Sequence, residues 1–144
     1  DADMDMATKI MADSAFGCAG QRCLAASVAI TVGEAKHSFT EQIADAATSR
    51  TVGYGMDDST QMGPVINKAS KERIEGIIAD SVNHGVDILV DGRGQKVSGY
   101  DDGYWVFPTI LDNVNPASDI AKTEIFGPVL SLMHAETVED AISQ

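Results

Sequence analysis

Apolar and small residues recur at helical spacing near the start of the chain, at Met4, Ala7, Ile10, Met11, Ser14 and Ala15, and predict a helix over 4–16 with a small-residue face. No cap or lead-in is legible before it. A short Gly-punctuated loop follows over 17–21. Residues 27–32 then alternate small and β-branched side chains, the pattern of a buried strand. Helical spacing returns over 34–49, with Ala35, Phe39, Ile43, Ala46 and Ala47 on one face. Gly53, Gly55, Asp57, Asp58, Ser59 and Gly63-Pro64 mark a loop. The clearest helix spans 67–84: Asn67 is a fair N-cap, Ile74, Ile77, Ile78 and Val82 form a stripe, and Gly85 supplies a stop. Gly76 inside it costs about 1 kcal/mol relative to Ala, which suggests close packing there.

The second half reads as strands separated by turns. Ile88-Leu89-Val90 is a short buried strand. The glycines at 92, 94, 99 and 103 make a hairpin or surface loop, because no strand–Gly–helix order surrounds them as a phosphate loop requires. Residues 105–111 read as a strand interrupted by Pro108, hence at an edge or near a strand start. Pro116 opens an irregular stretch. Residues 128–133 form a strand, and a helix runs from Val138, entered through Thr137 and Asp140. Strands alternating with helices predict an α/β fold with a largely parallel sheet flanked by helices.

Composition narrows the field. The 144 residues suffice for one domain with an adequate core. A net charge of −12 argues against a nucleic-acid partner, whose phosphates need clustered Lys and Arg. No apolar run approaches the roughly 20 residues of a membrane helix, and Asp1, Asp3 and Asp5 do not resemble a signal peptide. Two cysteines make neither a disulfide framework nor a metal motif, so a reducing compartment is expected: the cytoplasm, or the mitochondrial matrix in a eukaryote. His37, His84 and His134 lack ligand spacing and read as surface or helix-end residues, with no metal site expected.

The chemistry concentrates at Gly17-Cys18-Ala19-Gly20-Gln21-Arg22-Cys23. Glycines let the backbone turn sharply and approach other groups. A thiol reacts as its thiolate, which a neighbouring cation and aligned backbone N–H groups favour. Cys23, placed at the start of a new element, has the local makings of a nucleophile. Cys18, between Gly17 and Ala19, reads as a buried small apolar residue. Arg22 taken alone reads as a surface charge, Glu124 as a surface acid and Phe126 as a core aromatic.

Phe16-Gly17-Cys18-Ala19-Gly20-Gln21-Arg22-Cys23 resembles the nucleophile motif of the aldehyde dehydrogenase superfamily, and Glu124-Ile125-Phe126-Gly127-Pro128-Val129 resembles its other signature. Their order and separation agree with that family. Gly-Gln-Arg-Cys, with Asp91-Gly92-Arg93 and Gly99-Tyr100, is most similar to the CoA-acylating methylmalonate-semialdehyde dehydrogenase branch. The resemblance implies the family's catalytic-domain fold over 1–144, with the dinucleotide-binding domain outside this chain. It implies Cys23 as catalytic nucleophile through a thioester, and Arg22 as the partner of a substrate carboxylate. Glu124 and Phe126 would hold the ribose and the ring at the nicotinamide end of NAD. The Cys23 N–H would serve the oxyanion, with an Asn donor upstream. Coenzyme A would be the co-substrate, the semialdehyde the small-molecule partner, and the full-length enzyme a homo-oligomer.

Alternatives stay open. A hydrolytic NAD(P)-dependent branch would use water instead of CoA. A non-catalytic piece would fold and turn nothing over. Both chain ends fall within expected helices, so a portion of a longer enzyme is expected, inactive by itself for want of an adenosine site.

Overall fold

The computed structural model describes residues 2–144; Asp1, part of the acidic opening, lies outside the described residues. Helix α1 (Met4–Phe16) has the cap that the sequence did not reveal: the Asp3 carboxylate accepts from Met6 N at 3.0 Å. The signal was present, since Asp is a favoured N-cap. Its buried face is Thr8, Ala12, Ala15 and Phe16, the first three small enough for helix α2 (Ala35–Thr48) to lie close, through Phe39, Ile43 and Ala47. Thr8 Oγ1 donates to Gln42 Oε1 across this seam at 3.0 Å. Where the chain leaves α2, Arg50 pairs with Asp13 and lies over the Phe16 ring, tying down the C-terminal end of α1.

Strands β1 (Val28–Val32), β2 (Asp87–Val90), β3 (Thr109–Asp112) and β4 (Val129–Ala135) form one sheet in the order β1-β4-β3-β2. The β1–β4 and β4–β3 pairs are parallel, and β2–β3 is antiparallel. The sheet is therefore largely parallel, as the alternation predicted. β4 is central, and Val129 through Met133 are all buried, as expected of a strand covered on both faces. Helices α1 and α2 pack together and against the sheet. Helix α3 (Lys68–Asn83) is capped by the Asn67 side chain, accepting from Ser70 N at 2.8 Å, and buries Ile74 and Ile78. Short helices α4 (Asp119–Lys122) and α5 (Val138–Ser143) follow, the latter opened by a Thr137/Asp140 capping box.

Several expectations are corrected. β2 is an edge strand with alternating exposure, and Leu89 is 41% exposed; three consecutive apolar residues do not distinguish an edge from a buried strand. β3 begins at Thr109 rather than 105, and of the two places open to Pro108 the structure has the second: it stands just before an internal strand, where the missing N–H removes no ladder bond. His134 is not a surface residue. Nδ1 lies 2.6 Å from Thr31 Oγ1 and Nε2 lies 2.7 Å from Asp112 Oδ1, linking β1, β4 and β3. Among the described residues no helix is long and apolar enough to cross a membrane, and no cluster of His, Cys, Asp and Glu could hold a metal.

The glycine-rich excursion joins antiparallel β2 and β3, as a hairpin loop does. Asp91 accepts from Arg93 N, Nε and Nη2 at 3.1, 2.8 and 2.6 Å, and these bonds, the two from the guanidinium above all, hold its carboxyl below the usual carboxylate range. Gly92 lies against the backbone of Phe107, where a Cβ would stand 2.0 Å from the carbonyl oxygen. The Asp91-Gly92-Arg93 segment is a clasp at the base of this loop.

Gly76 is exposed, and a Cβ there would meet nothing within 4 Å, so close packing does not explain it. Gly76→Ala should stabilise the protein by about 0.5–1 kcal/mol through helix propensity and a less entropic unfolded chain. A rise in the thermal midpoint checks this.

Gly20 is the opposite case. A Cβ on it would stand 2.0 Å from the Gly127 carbonyl oxygen, and its φ is +65°. Gly20→Ala should cost more than about 3 kcal/mol, because neither partner in the clash is a flexible side chain. The urea unfolding midpoint measures it.

Candidate active site

The nucleophile loop begins where α1 ends. Gly17 has an ordinary φ of −57°. The left-handed residues are Cys18, Ala19 and Gly20, with φ of 53°, 53° and 65°. Two of these three carry side chains, and such conformations cost about 1–2 kcal/mol per L-residue. The absent side chain of Gly17 instead makes room for a guanidinium: a Cβ there would lie 3.0 Å from Arg22 Nη2. Of the two glycines, Gly20 thus takes part in the sharp turn and Gly17 serves the close approach of another group.

Arg22 doubles back over the end of α1. Its Nη2 donates to the carbonyls of Asp13 at 2.8 Å and Ser14 at 3.4 Å. A cation suits the C-terminal end of a helix, where carbonyls lack partners. Among the described residues Nε and Nη1 make no hydrogen bond, so half the guanidinium remains for another ligand.

Cys23 does not begin a regular element. It lies in a turn closed by Ala25 N donating to Arg22 O at 3.1 Å, and β1 starts only at Val28. The turn is latched from outside: Ser14 Oγ donates to Leu24 O at 3.3 Å and accepts from Ala26 N at 3.1 Å. Gln21 Oε1 accepts from Ile66 N at 3.0 Å, joining the loop to the segment before α3. Among the described residues the Cys23 N–H donates to no protein acceptor. Both cysteines are exposed. For Cys18 this overturns the buried reading, because the left-handed turn points it outward rather than into the core.

The second motif is shaped by α3 and β4. Arg73 Nη2 donates to the Ile125 carbonyl. Ile125 is buried, whereas Phe126, with φ 53°, is 40% exposed. A left-handed aromatic held half in solvent is strained backbone of the kind that persists where surrounding structure over-determines it. Gly127 lies on Ile74, where a Cβ would stand 2.7 Å from Cδ1. Phe126 is therefore not the core aromatic that its residue type suggests in isolation.

The two motifs meet. Cys23, Arg22, Glu124 and Phe126 line one cleft of about 180 Å³, floored by Gly20, Ser27, Gly127 and Val129. All four predicted site residues are brought together; Cys18 is not among the lining residues. An exposed carboxylate and a half-exposed aromatic ring across from a thiol can hold a flat, hydroxyl-bearing group beside a nucleophile. Sequence reasoning missed Ser14 and Arg73, whose bonds hold the two loops. Neither belongs to a local pattern that marks it.

The model of the aldehyde dehydrogenase family matches residues 1–144. The mouse methylmalonate-semialdehyde/malonate-semialdehyde dehydrogenase [acylating], mitochondrial, is 42% identical over 142 residues, which are 99% of this chain and 26% of that protein. A solved methylmalonate-semialdehyde dehydrogenase from Oceanimonas doudoroffii superposes with a TM-score of 0.94 at 38% identity, over 99% of this chain and 30% of that one. Betaine aldehyde dehydrogenase from Staphylococcus aureus, solved with NAD+, gives 0.95 at 30% identity, over 99% of this chain and 28% of that one. The chain thus spans about a quarter of the length of the curated relatives it matches. With the motifs, the fold and the family match over residues 1–144 in agreement, this chain belongs to the aldehyde dehydrogenase family.

Proposed function

We propose that this chain is the nucleophile-bearing part of the catalytic domain of a CoA-acylating methylmalonate- or malonate-semialdehyde dehydrogenase. The observation that carries the reading is the single cleft lined by Cys23, Arg22, Glu124 and Phe126. Cys23 Sγ, as thiolate, adds to the aldehyde carbon and forms a thiohemiacetal. The new oxyanion takes a hydrogen bond from the unpaired Cys23 N–H, the donor that this loop preorganises. NAD, when bound, accepts the hydride that this carbon loses. The carbon is thereby oxidised by two electrons to a thioester on Cys23, and covalent catalysis has divided one difficult step into two.

The residues of the second motif suit the nicotinamide end of that cofactor. Glu124 offers two acceptor oxygens to the two hydroxyls of a ribose. Phe126, strained and half exposed, offers a face to a flat ring. Arg22 offers Nε and Nη1 to a substrate carboxylate while Nη2 anchors it to α1. The carboxylate then leaves as CO2, the carbon that bore it takes a proton in its place, and the acyl group passes from Cys23 to the thiol of coenzyme A. The products are propionyl-CoA or acetyl-CoA. The name of the mouse relative specifies acylation. Among the solved structures, the 38% identity to the Oceanimonas doudoroffii enzyme, against 30% to the betaine aldehyde enzyme, supports the methylmalonate-semialdehyde branch.

The test uses the full-length protein with malonate semialdehyde and NAD, with and without CoA. The expected result is NADH with acetyl-CoA as product. Equal free-acid formation with and without CoA selects the hydrolytic reading, and no NADH at all selects a non-catalytic protein. Cys23→Ala should lower kcat at least about a thousandfold, since the covalent route is lost. Arg22→Gln should raise KM about tenfold more for the carboxylated aldehyde than for propionaldehyde, the loss of a charge-assisted hydrogen bond, and should lower kcat for both aldehydes, because the Nη2 anchor on α1 goes with it.

A further inference from the structure

We propose that Ser14 is a positioning residue for Cys23. A serine in the last turn of a helix ordinarily bonds back to its own helix. Ser14 instead reaches to residues ten and twelve positions later: its hydroxyl donates to Leu24 O and accepts from Ala26 N. These bonds flank Ala25, whose N–H closes the turn on Arg22 O. Cys23 and Leu24, the central residues of that turn, are exposed, Leu24 by 87%. Within this chain they have little packing of their own, so its polar bonds set where the thiol and the unpaired Cys23 N–H point.

The other anchor of the turn is Arg22 on the Asp13 and Ser14 carbonyls. That anchor acts on the residue before Cys23, and Ser14 acts on those after it. Together they clamp both sides of the nucleophile to the end of α1, which Arg50 and Asp13 in turn tie to α2. Without the Ser14 hydroxyl the Leu24 carbonyl and the Ala26 N–H lose their partner, and the turn is held from one side only. A misplacement of about 1 Å at a reacting atom costs up to about a hundredfold in rate.

The inference rests on the reading of Cys23 as nucleophile, and its test separates the two. In the full-length protein, Ser14→Ala should lower the rate of the first NADH turnover about tenfold at saturating semialdehyde. KM for NAD should stay within twofold, since Ser14 does not face Glu124 or Phe126. Amide exchange at residues 24–26 should accelerate about tenfold while β4 is unchanged. Ser14→Thr, which keeps the hydroxyl, should recover most of the rate. Unchanged turnover and exchange in Ser14→Ala would overturn the inference, as would a fall in rate accompanied by a matching loss of NAD affinity. If Cys23→Ala retains full activity, the functional reading fails and the positioning role fails with it. If Cys23→Ala is inactive and Ser14→Ala is normal, only this inference fails.

Discussion

The arrangement depends on a contact between two backbones. Gly20 and Gly127 lie so close that a side chain on the first would overlap the carbonyl of the second. One glycine belongs to the loop after α1 and the other to the loop before β4. Their approach brings Cys23 and Arg22 to the same cleft as Glu124 and Phe126. Each loop puts only one apolar side chain of its own into the core, Ala19 from the first and Ile125 from the second. Each is pinned from behind by a helix: α1 through Ser14 and its terminal carbonyls, α3 through Arg73 and Ile74.

The rest of the fold supplies rigidity for that contact. Strands β1 and β4 are parallel neighbours, and Ser131 N donates to Ser27 O at 2.9 Å just where the nucleophile loop enters the sheet. The cleft therefore lies at the N-terminal ends of the two strands. At their other end, Thr31, His134 and Asp112 link three strands by hydrogen bonds. Such a crosslink fixes register, which matters because a one-residue slip would send every side chain of a strand to the wrong face.

Strain and polar anchoring go together at the site. Cys18, Ala19 and Phe126 all hold left-handed backbone. A protein keeps such conformations where the geometry they produce is needed. Here the first two bend the chain so that Gly20 can reach Gly127, and the third turns an aromatic ring outward beside an exposed carboxylate. Arg22 has two roles in this arrangement. Part of its guanidinium neutralises carbonyls at the end of α1, and the remainder is left to a ligand.

The periodicity of the chain determined where the major elements lie: α1 over Met4–Phe16, β1 over Val28–Val32, α3 from the Asn67 cap, and α5 from the Thr137/Asp140 box all follow from local pattern and cap chemistry. Cys23, Arg22, Glu124 and Phe126, four of the residues that line the cleft, were legible as well, through motifs whose residue types carry the chemistry. Burial and anchoring were not. Ile88-Leu89-Val90 became an edge strand, Cys18 an exposed residue and Gly76 an open helix position, because exposure depends on which elements pack alongside. Ser14, Arg73 and the non-bonded half of Arg22 acquire their roles from partners far along the chain. Hydrogen bonds between such partners have no period and leave no local mark, so only the tertiary structure decides them.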